Sequence, residues 1–206
     1  MTAIIDYGVG NLFSLRGAFA ALGLEARVTG DRQVLRDADR IVLPGVGAFA
    51  DAAARLSAAG LDDVLCTEVQ KGKPLLGICL GMQLLFEKSF EYGEHPGLSL
   101  LSGTVVPLEG RIPNGLKIPH MGWNRLEICR ESPLFSGIRN GDHVYFVHSY
   151  HACGCQDSLL ATAEYGVPVT AAVGLGNVFG CQFHPEKSGA AGLAILKAFT
   201  ETEGLA

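Results

Sequence analysis

The segment Lys73-Pro-Leu-Leu-Gly-Ile-Cys-Leu-Gly-Met-Gln-Leu-Leu-Phe86 constrains the fold of this chain more than any other. Leu75, Leu76 and Ile78 form a short apolar run that reads as a buried strand, and the residues after it read as an apolar helix start. Between them, Gly77-Ile-Cys-Leu-Gly81 has the spacing of a nucleophile elbow with cysteine in the central position. Such a turn is so tight that its central residue takes a strained backbone conformation. The flanking positions must then be glycine, because a side chain there would clash. Cys79 is expected at a helix N-terminus, where the dipole and free N–H groups favour a thiolate.

The second informative stretch is Val178-Phe-Gly-Cys-Gln-Phe-His-Pro-Glu186, an apolar strand that ends in His184-Pro185-Glu186. Residues i and i+2 of an extended chain share a side, so His184 and Glu186 are expected to meet at the strand end. Pro185 has no N–H for a ladder and marks where pairing stops. A thiol, an imidazole and a carboxylate able to orient it make a candidate Cys79-His184-Glu186 triad.

The first half of the chain alternates strand and helix signals. Strands are expected at 3–5, 26–28 and 41–43, and helices at 11–22, 31–38, 48–59 and 61–71, before the elbow strand and its helix. This alternation gives a parallel sheet with helices on both faces, and places the site beyond the C-terminal strand ends. The second half reads as strands at 103–108, 117–121, 144–149, 159–163, 170–173 and 177–183, joined by Gly, Pro and Asn turns. They imply a small antiparallel extension or accessory sheet. An amphipathic helix at 190–201 closes the chain, and residues 1–206 are expected to form one domain.

Hydrophobic residues make up 48% of the 206 and charged residues 18%, which excludes a disordered chain. A net charge of −5 with scattered Lys and Arg argues against a nucleic-acid surface. Residues 1–6 lack the basic region of a signal peptide, and the cytoplasm is the expected compartment. Six cysteines in a chain of this length do not make a disulfide scaffold. Cys66, Cys129 and Cys181 read as buried thiols, and Cys153-Gly-Cys155 lacks the second cluster that a metal site needs. No phosphate-cradling loop is evident, and neither a cofactor nor a metal is expected.

Together, Gly77-Ile-Cys-Leu-Gly-Met-Gln83 and Gln182-Phe-His-Pro-Glu-Lys187 resemble the class I glutamine amidotransferases. Four further motifs resemble the glutaminase subunits of imidazole glycerol phosphate synthase. These are Asp6-Tyr-Gly-Val-Gly-Asn-Leu12, Pro44-Gly-Val-Gly-Ala-Phe49, Pro119-His-Met-Gly-Trp-Asn124 and Tyr145-Phe-Val-His-Ser-Tyr150. The resemblance covers essentially the whole chain and implies a flavodoxin-like α/β fold. It implies that Cys79 attacks the glutamine amide, with His184 as proton carrier and Glu186 as its orienting group. Oxyanion donors would be the Leu80 N–H and an N–H of Val46 or Gly47, reached by a peptide flip. Gln83, Ser149 and Tyr150 would hold the substrate. The implied partner is a (β/α)₈ synthase (cyclase) subunit that receives the ammonia, as a heterodimer. Asn11, Pro119, His120, Met121, Trp123, Tyr145 and Lys187 match interface positions.

Two departures bear on partner contacts: Phe13 stands where a basic residue often follows Asn-Leu, and Val173-Gly-Leu-Gly176 lacks charges often found before the last strand. The motifs also admit a paralogous glutaminase serving another synthase, for example in surface-sugar amidation. A free-standing cysteine hydrolase is a further alternative, as is a non-catalytic binding subunit.

Overall fold

In the computed structural model, which describes residues 1–202, the first half alternates as expected. Its elements are β1 (Thr2–Ile5), α1 (Leu12–Ala21), β2 (Ala26–Thr29), α2 (Arg32–Asp37), β3 (Arg40–Gly45), α3 (Phe49–Ala58), α4 (Leu61–Gln70) and β4 (Leu75–Cys79). Short polar side chains cap the first two helices. Asn11 accepts the Ser14 N–H at α1, and Asp31 accepts those of Gln33 and Val34 at α2. After the elbow come α5 (Leu80–Gln83), β5 (Phe86–Ser89), β6 (His95–Pro96), β7 (Leu101–Pro107) and β8 (His120–Arg125). The remaining elements are β9 (Glu127–Ile128), β10 (His143–His148), β11 (Tyr150–Cys153), β12 (Leu159–Glu164), β13 (Pro168–Leu175), β14 (Val178–Cys181) and α6 (Gly189–Glu201).

The main sheet has the order β2-β1-β3-β4-β14-β13-β12-β9. Its first five strands are parallel, and β13, β12 and β9 extend it antiparallel. Alternate residues of the parallel strands inside the edge feed two cores, which is why β1, β3 and β4 are buried along nearly their whole length, whereas the edge strand β2 alternates. Ala3, Ile5, Ile41, Leu43 and Leu75 pack with Leu35, Phe49, Leu56, Leu61 and Leu65 of α2 to α4. Ile4, Val42, Leu76 and Ile78 face the other side, against Leu15 and Phe19 of α1 and Ile195, Leu196 and Phe199 of α6. Two smaller sheets, β10-β8 and β11-β7-β5-β6, stand beside the C-terminal strand ends. Among the described residues no helix is long and apolar enough to cross a membrane.

Two local expectations need correction, the start of one strand and the burial of two cysteines, and the connection after the elbow adds short elements. The helix after the elbow is a single turn of four residues, and β5 and β6 follow it. Carbonyls that would have continued it are taken elsewhere: Leu84 O accepts the Leu98 N–H, and Leu85 O accepts those of Leu100 and Leu101. The strand expected from Lys117 begins at His120, because its partner β10 ends at His148, directly opposite His120. The short strands β9 and β11 were not anticipated. Cys129 is exposed, not buried, and Cys66 is half-buried, whereas Cys181 is fully buried.

Candidate active site

Cys79 is the last residue of β4 and has φ 55°, ψ −110°, the strained conformation expected of an elbow. Its flanking glycines are required by close approach. A Cβ on Gly77 would lie 2.6 Å from the Gly81 carbonyl oxygen, and one on Gly81 would collide with the Leu43 carbonyl oxygen of β3. Because α5 is only one turn long, its macrodipole contributes little to the thiol. The immediate neighbours matter more. Cys79 Sγ is 3.8 Å from the Val147 carbonyl oxygen, which suits a resting S–H. The Gln182 side-chain amide donates to the same sulfur at 3.7 Å, which suits a thiolate.

His184 follows β14 in the extended region, and Glu186 lies in a 3₁₀ turn spanning Pro185–Lys187. The two meet as expected, His184 Nδ1 to Glu186 Oε1 at 2.9 Å, but through that turn rather than along a strand. Ser188 Oγ–H donates to the His184 carbonyl at 2.7 Å and accepts the Tyr145 N–H at 2.9 Å, tying the turn to β10. The His184 and Glu186 side chains are 4% and 3% exposed, so water does not screen the pair. His184 Nε2 has no hydrogen-bond partner and is the nitrogen left to receive a proton from the thiol. Burial opposes charge on this ring, but the neighbouring Cys79 sulfur and the Glu186 carboxylate, which is hydrogen-bonded at Nδ1, outweigh it and raise His184 to about 9.

The sign of the linkage follows from that direction. A folded-state pKa raised above 6.5 contributes stability that is fully present below that value and is lost as pH rises through about 9. Glu186→Gln removes one cause of the rise. Urea denaturation should therefore find the stability difference between wild type and variant larger at pH 6 than at pH 10. A difference that does not shrink with pH would mean that Glu186 does not hold the ring cationic.

These groups open on a cavity of about 330 Å³, at the small end of small-molecule sites. Val46, Gly47, Cys79, Leu80, Gln83, Pro119, Ser149, Tyr150 and His184 all line it, so two of the three expected triad residues share one place with the expected oxyanion and substrate residues, and Glu186 stands behind His184. Its walls come from the C-terminal ends of β3 and β4, the chain after β14 and the end of β10, beyond the strand ends as expected for an open α/β sheet. Gln83 is 5% exposed and donates to the Tyr150 carbonyl at 3.1 Å and to Gln182 Oε1 at 2.9 Å. Both amide hydrogens are thus spent on the protein, and its oxygen is the atom left for a ligand.

Of the expected interface residues, Met121 and Trp123 are 60% and 56% exposed. Lys187 Nζ sits 5.8 Å from the Tyr145 ring centroid, and that ring meets Trp123 edge-on at 6.1 Å. Asn11 caps α1 and, with Val46, His184 and Glu186, lines a small space behind the site. His120 is the correction: only 2% exposed, it lies beneath the face rather than on it.

Sequence reasoning missed Tyr7, Glu91, Tyr92, His148 and Gln182. Tyr7 O–H donates to the Pro44 carbonyl at 2.8 Å, and its place in the Asp6–Leu12 motif was the available signal. Glu91 and Tyr92 reach the cavity from the β5–β6 connection, which no sequence signal marked. Among the described residues no group of three or more His, Cys, Asp or Glu side chains is placed to hold a metal ion. Cys153 instead packs 3.5 Å from His151 Nε2, and Cys155 lies 3.7 Å from Thr170 Oγ1.

Residues 3–202 match the family model for Glutamine amidotransferase class-I. The chain is 51% identical over 202 residues to imidazole glycerol phosphate synthase subunit HisH of Caldanaerobacter subterraneus subsp. tengcongensis, covering 98% of each. It is 54% identical over 204 residues to the subunit of the same name from Bacillus velezensis, covering 98% of this chain and 96% of that one. Among solved structures, one described as a glutamine amidotransferase aligns with a TM-score of 0.75 at 21% identity, covering 97% of each chain. PurLQS from Thermotoga maritima gives 0.75 at 20% identity with the same coverage. At such identities the structural matches establish the fold alone, while the family model and the curated relatives span nearly the whole sequence. The chain belongs to the class I glutamine amidotransferase family.

Proposed function

We propose that this chain is the glutaminase subunit of imidazole glycerol phosphate synthase, a single cytoplasmic domain over residues 1–206. It hydrolyses L-glutamine to glutamate and passes the ammonia to a (β/α)₈ synthase partner in histidine biosynthesis. The observation that carries this reading is one cavity holding Cys79, His184 on Glu186, and Gln83, in a chain about half identical to proteins of that name.

The Cys79 proton passes first to His184 Nε2, which the raised proton affinity of that ring favours, and the thiolate attacks the side-chain amide carbonyl. The tetrahedral oxyanion takes the Leu80 N–H and a donor from Val46 or Gly47. His184 gives that proton to the amide nitrogen, and collapse expels it as ammonia and leaves a glutamyl thioester. Water, deprotonated by the same ring, then releases glutamate and restores the thiol. Ser149 and Tyr150 hold the main-chain groups of glutamine, and the Gln83 oxygen accepts an N–H from it. Free ammonia is mostly protonated at neutral pH and then no longer nucleophilic, so synthesis requires sheltered transfer. That calls for a partner seated over the pocket, which Val46 and Pro119 line and from which Pro119 leads into β8 with its exposed Met121 and Trp123. The partner forms imidazole glycerol phosphate and the aminoimidazole carboxamide ribonucleotide.

Trp123 is the only tryptophan, and its position beside Tyr145 and Lys187 suits an interface anchor. Trp123→Ala should weaken assembly by about 2 kcal/mol, roughly thirtyfold in Kd, with little change in melting temperature. Calorimetric titration with the synthase subunit would measure it, and an unchanged Kd would remove Trp123 from the interface. The whole reading is tested in a histidine auxotroph lacking only its glutaminase subunit. Restored growth together with co-purification of the barrel subunit is expected. Failure to complement, with glutamine turnover retained alongside a different synthase, would point to the paralogue.

A further inference from the structure

The motif Pro119-His-Met-Gly-Trp-Asn124 contributes more than a surface. On β8, Met121, Trp123 and Arg125 are exposed, whereas His120, Gly122 and Asn124 alternate with them on the less accessible side. His120 stacks on Phe146 and Tyr165, with ring centroids 4.7 and 4.1 Å away. His148, buried at the end of β10, stands directly opposite it in the ladder.

The hydrogen bonds fix both tautomers. A carbonyl can only accept, so His148 Nδ1–H donates to the Tyr150 carbonyl at 2.8 Å. In the neutral ring His148 Nε2 must then accept, and His120 Nδ1–H donates to it at 2.9 Å. His120 Nε2 in turn accepts from the Asn124 side-chain amide at 3.1 Å, which also donates to the Glu164 carbonyl at 2.9 Å. Burial lowers His120 to about 4 and His148 to about 3, so both rings are neutral at pH 7. The chain of donors thus runs one way, from the partner-facing strand to the Tyr150 carbonyl. That carbonyl is also the acceptor that orients Gln83 at the pocket.

Resting on the glutaminase reading, we infer that Asn124, His120 and His148 form a positioning relay. It fixes the Tyr150 carbonyl and through it the Gln83 amide, so that the strand bearing the partner contacts also sets affinity for glutamine. Asn124 and His120 do not line the cavity, and His148 lines it with both ring nitrogens engaged by the protein, so their influence falls on substrate binding.

The test uses the assembled complex. His120→Ala should raise KM for glutamine about tenfold, the scale of one lost buried hydrogen bond, while kcat stays within about twofold. Ammonia-dependent turnover by the partner should not change. Added to Gln83→Ala, the same substitution should raise KM little further, because both act on one contact. A fall in kcat at constant KM, or fully additive effects, would overturn the relay. A second measurement needs no variant: ¹⁵N-resolved histidine spectra of the wild-type chain at pH 7 should show His120 and His148 both protonated at Nδ1. An Nε2-protonated ring at either position overturns the proposal even if the variant fails to fold. Absence of glutamine turnover in the wild-type complex would overturn the functional reading instead, leaving the tautomers to judge the relay.

Discussion

Replacing Cys79 with alanine or serine should abolish glutamine-dependent synthesis while ammonia-dependent synthesis by the partner stays nearly intact. Alanine removes the attacking atom. Serine keeps a hydroxyl of similar size, but its proton is far harder to remove, and His184 is tuned to a thiol. The expected loss in glutaminase kcat is about 10⁴-fold or more, since a nucleophile and its base act as a unit and removing either forfeits nearly the whole chemical step. For the same reason His184→Ala should be almost as severe, and the double variant hardly worse than either single one. Glu186→Gln should be milder than His184→Ala, because it disturbs orientation and charge and leaves the proton carrier in place. The strained backbone at Cys79 is independent of the sulfur, so assembly should survive, and the ammonia-dependent rate serves as the internal control. A Cys79→Ala complex that still used glutamine at the wild-type rate would show that another group is the nucleophile.

The parts of this architecture legible in the sequence are those where one local rule dominates. Continuous apolar runs at Ile41-Val-Leu43 and Leu75-Leu76 announce strands covered on both faces, and the structure places them side by side in the parallel sheet. Gly77 and Gly81 announce a turn with no room for a Cβ, and neighbouring backbone fills both positions. Where long-range contacts override local preference, the sequence misleads. Met82 to Phe86 carries an apolar pattern that a helix would accept, yet Leu98, Leu100 and Leu101 capture the carbonyls that a helix would need. The hairpin that follows delivers Glu91 and Tyr92 to the cavity, a consequence that no periodicity contains. His120 illustrates the limit in another way. Its motif marks it beside the partner face, but strand alternation and two aromatic neighbours turn it inward, where it contacts His148.

Glutamine hydrolysis by the isolated chain should be slow, and binding of the partner with its nucleotide substrate should raise kcat by roughly 10²–10³-fold, the scale of one oxyanion donor. KM should move much less, because the added N–H acts mainly on the transition state. The segment Pro44–Gly47 is held tightly at one end only. Tyr7 holds the Pro44 carbonyl, and a Cβ on Gly45 would meet Gly81 N at 2.8 Å, so this part of the loop is packed tightly against the elbow. Beyond it Val46 is 41% exposed, and Gly47 has φ +92° with open space around its Cα. A rotation of the Val46 peptide therefore needs no rearrangement of β3, and a partner resting on the exposed valine has direct purchase on it. Two sites linked by a bistable loop make a coupled system in the thermodynamic sense. Val46→Pro removes the Val46 N–H and fixes the backbone at the turning peptide, so it should suppress activation while leaving the Kd for the partner within about threefold. The loop and the histidine relay are also separable by kinetics, one read in kcat and the other in KM. Steady-state assays of free chain, complex and nucleotide-loaded complex decide the matter. Equal kcat in the first and the last would end the case for a switch at Val46.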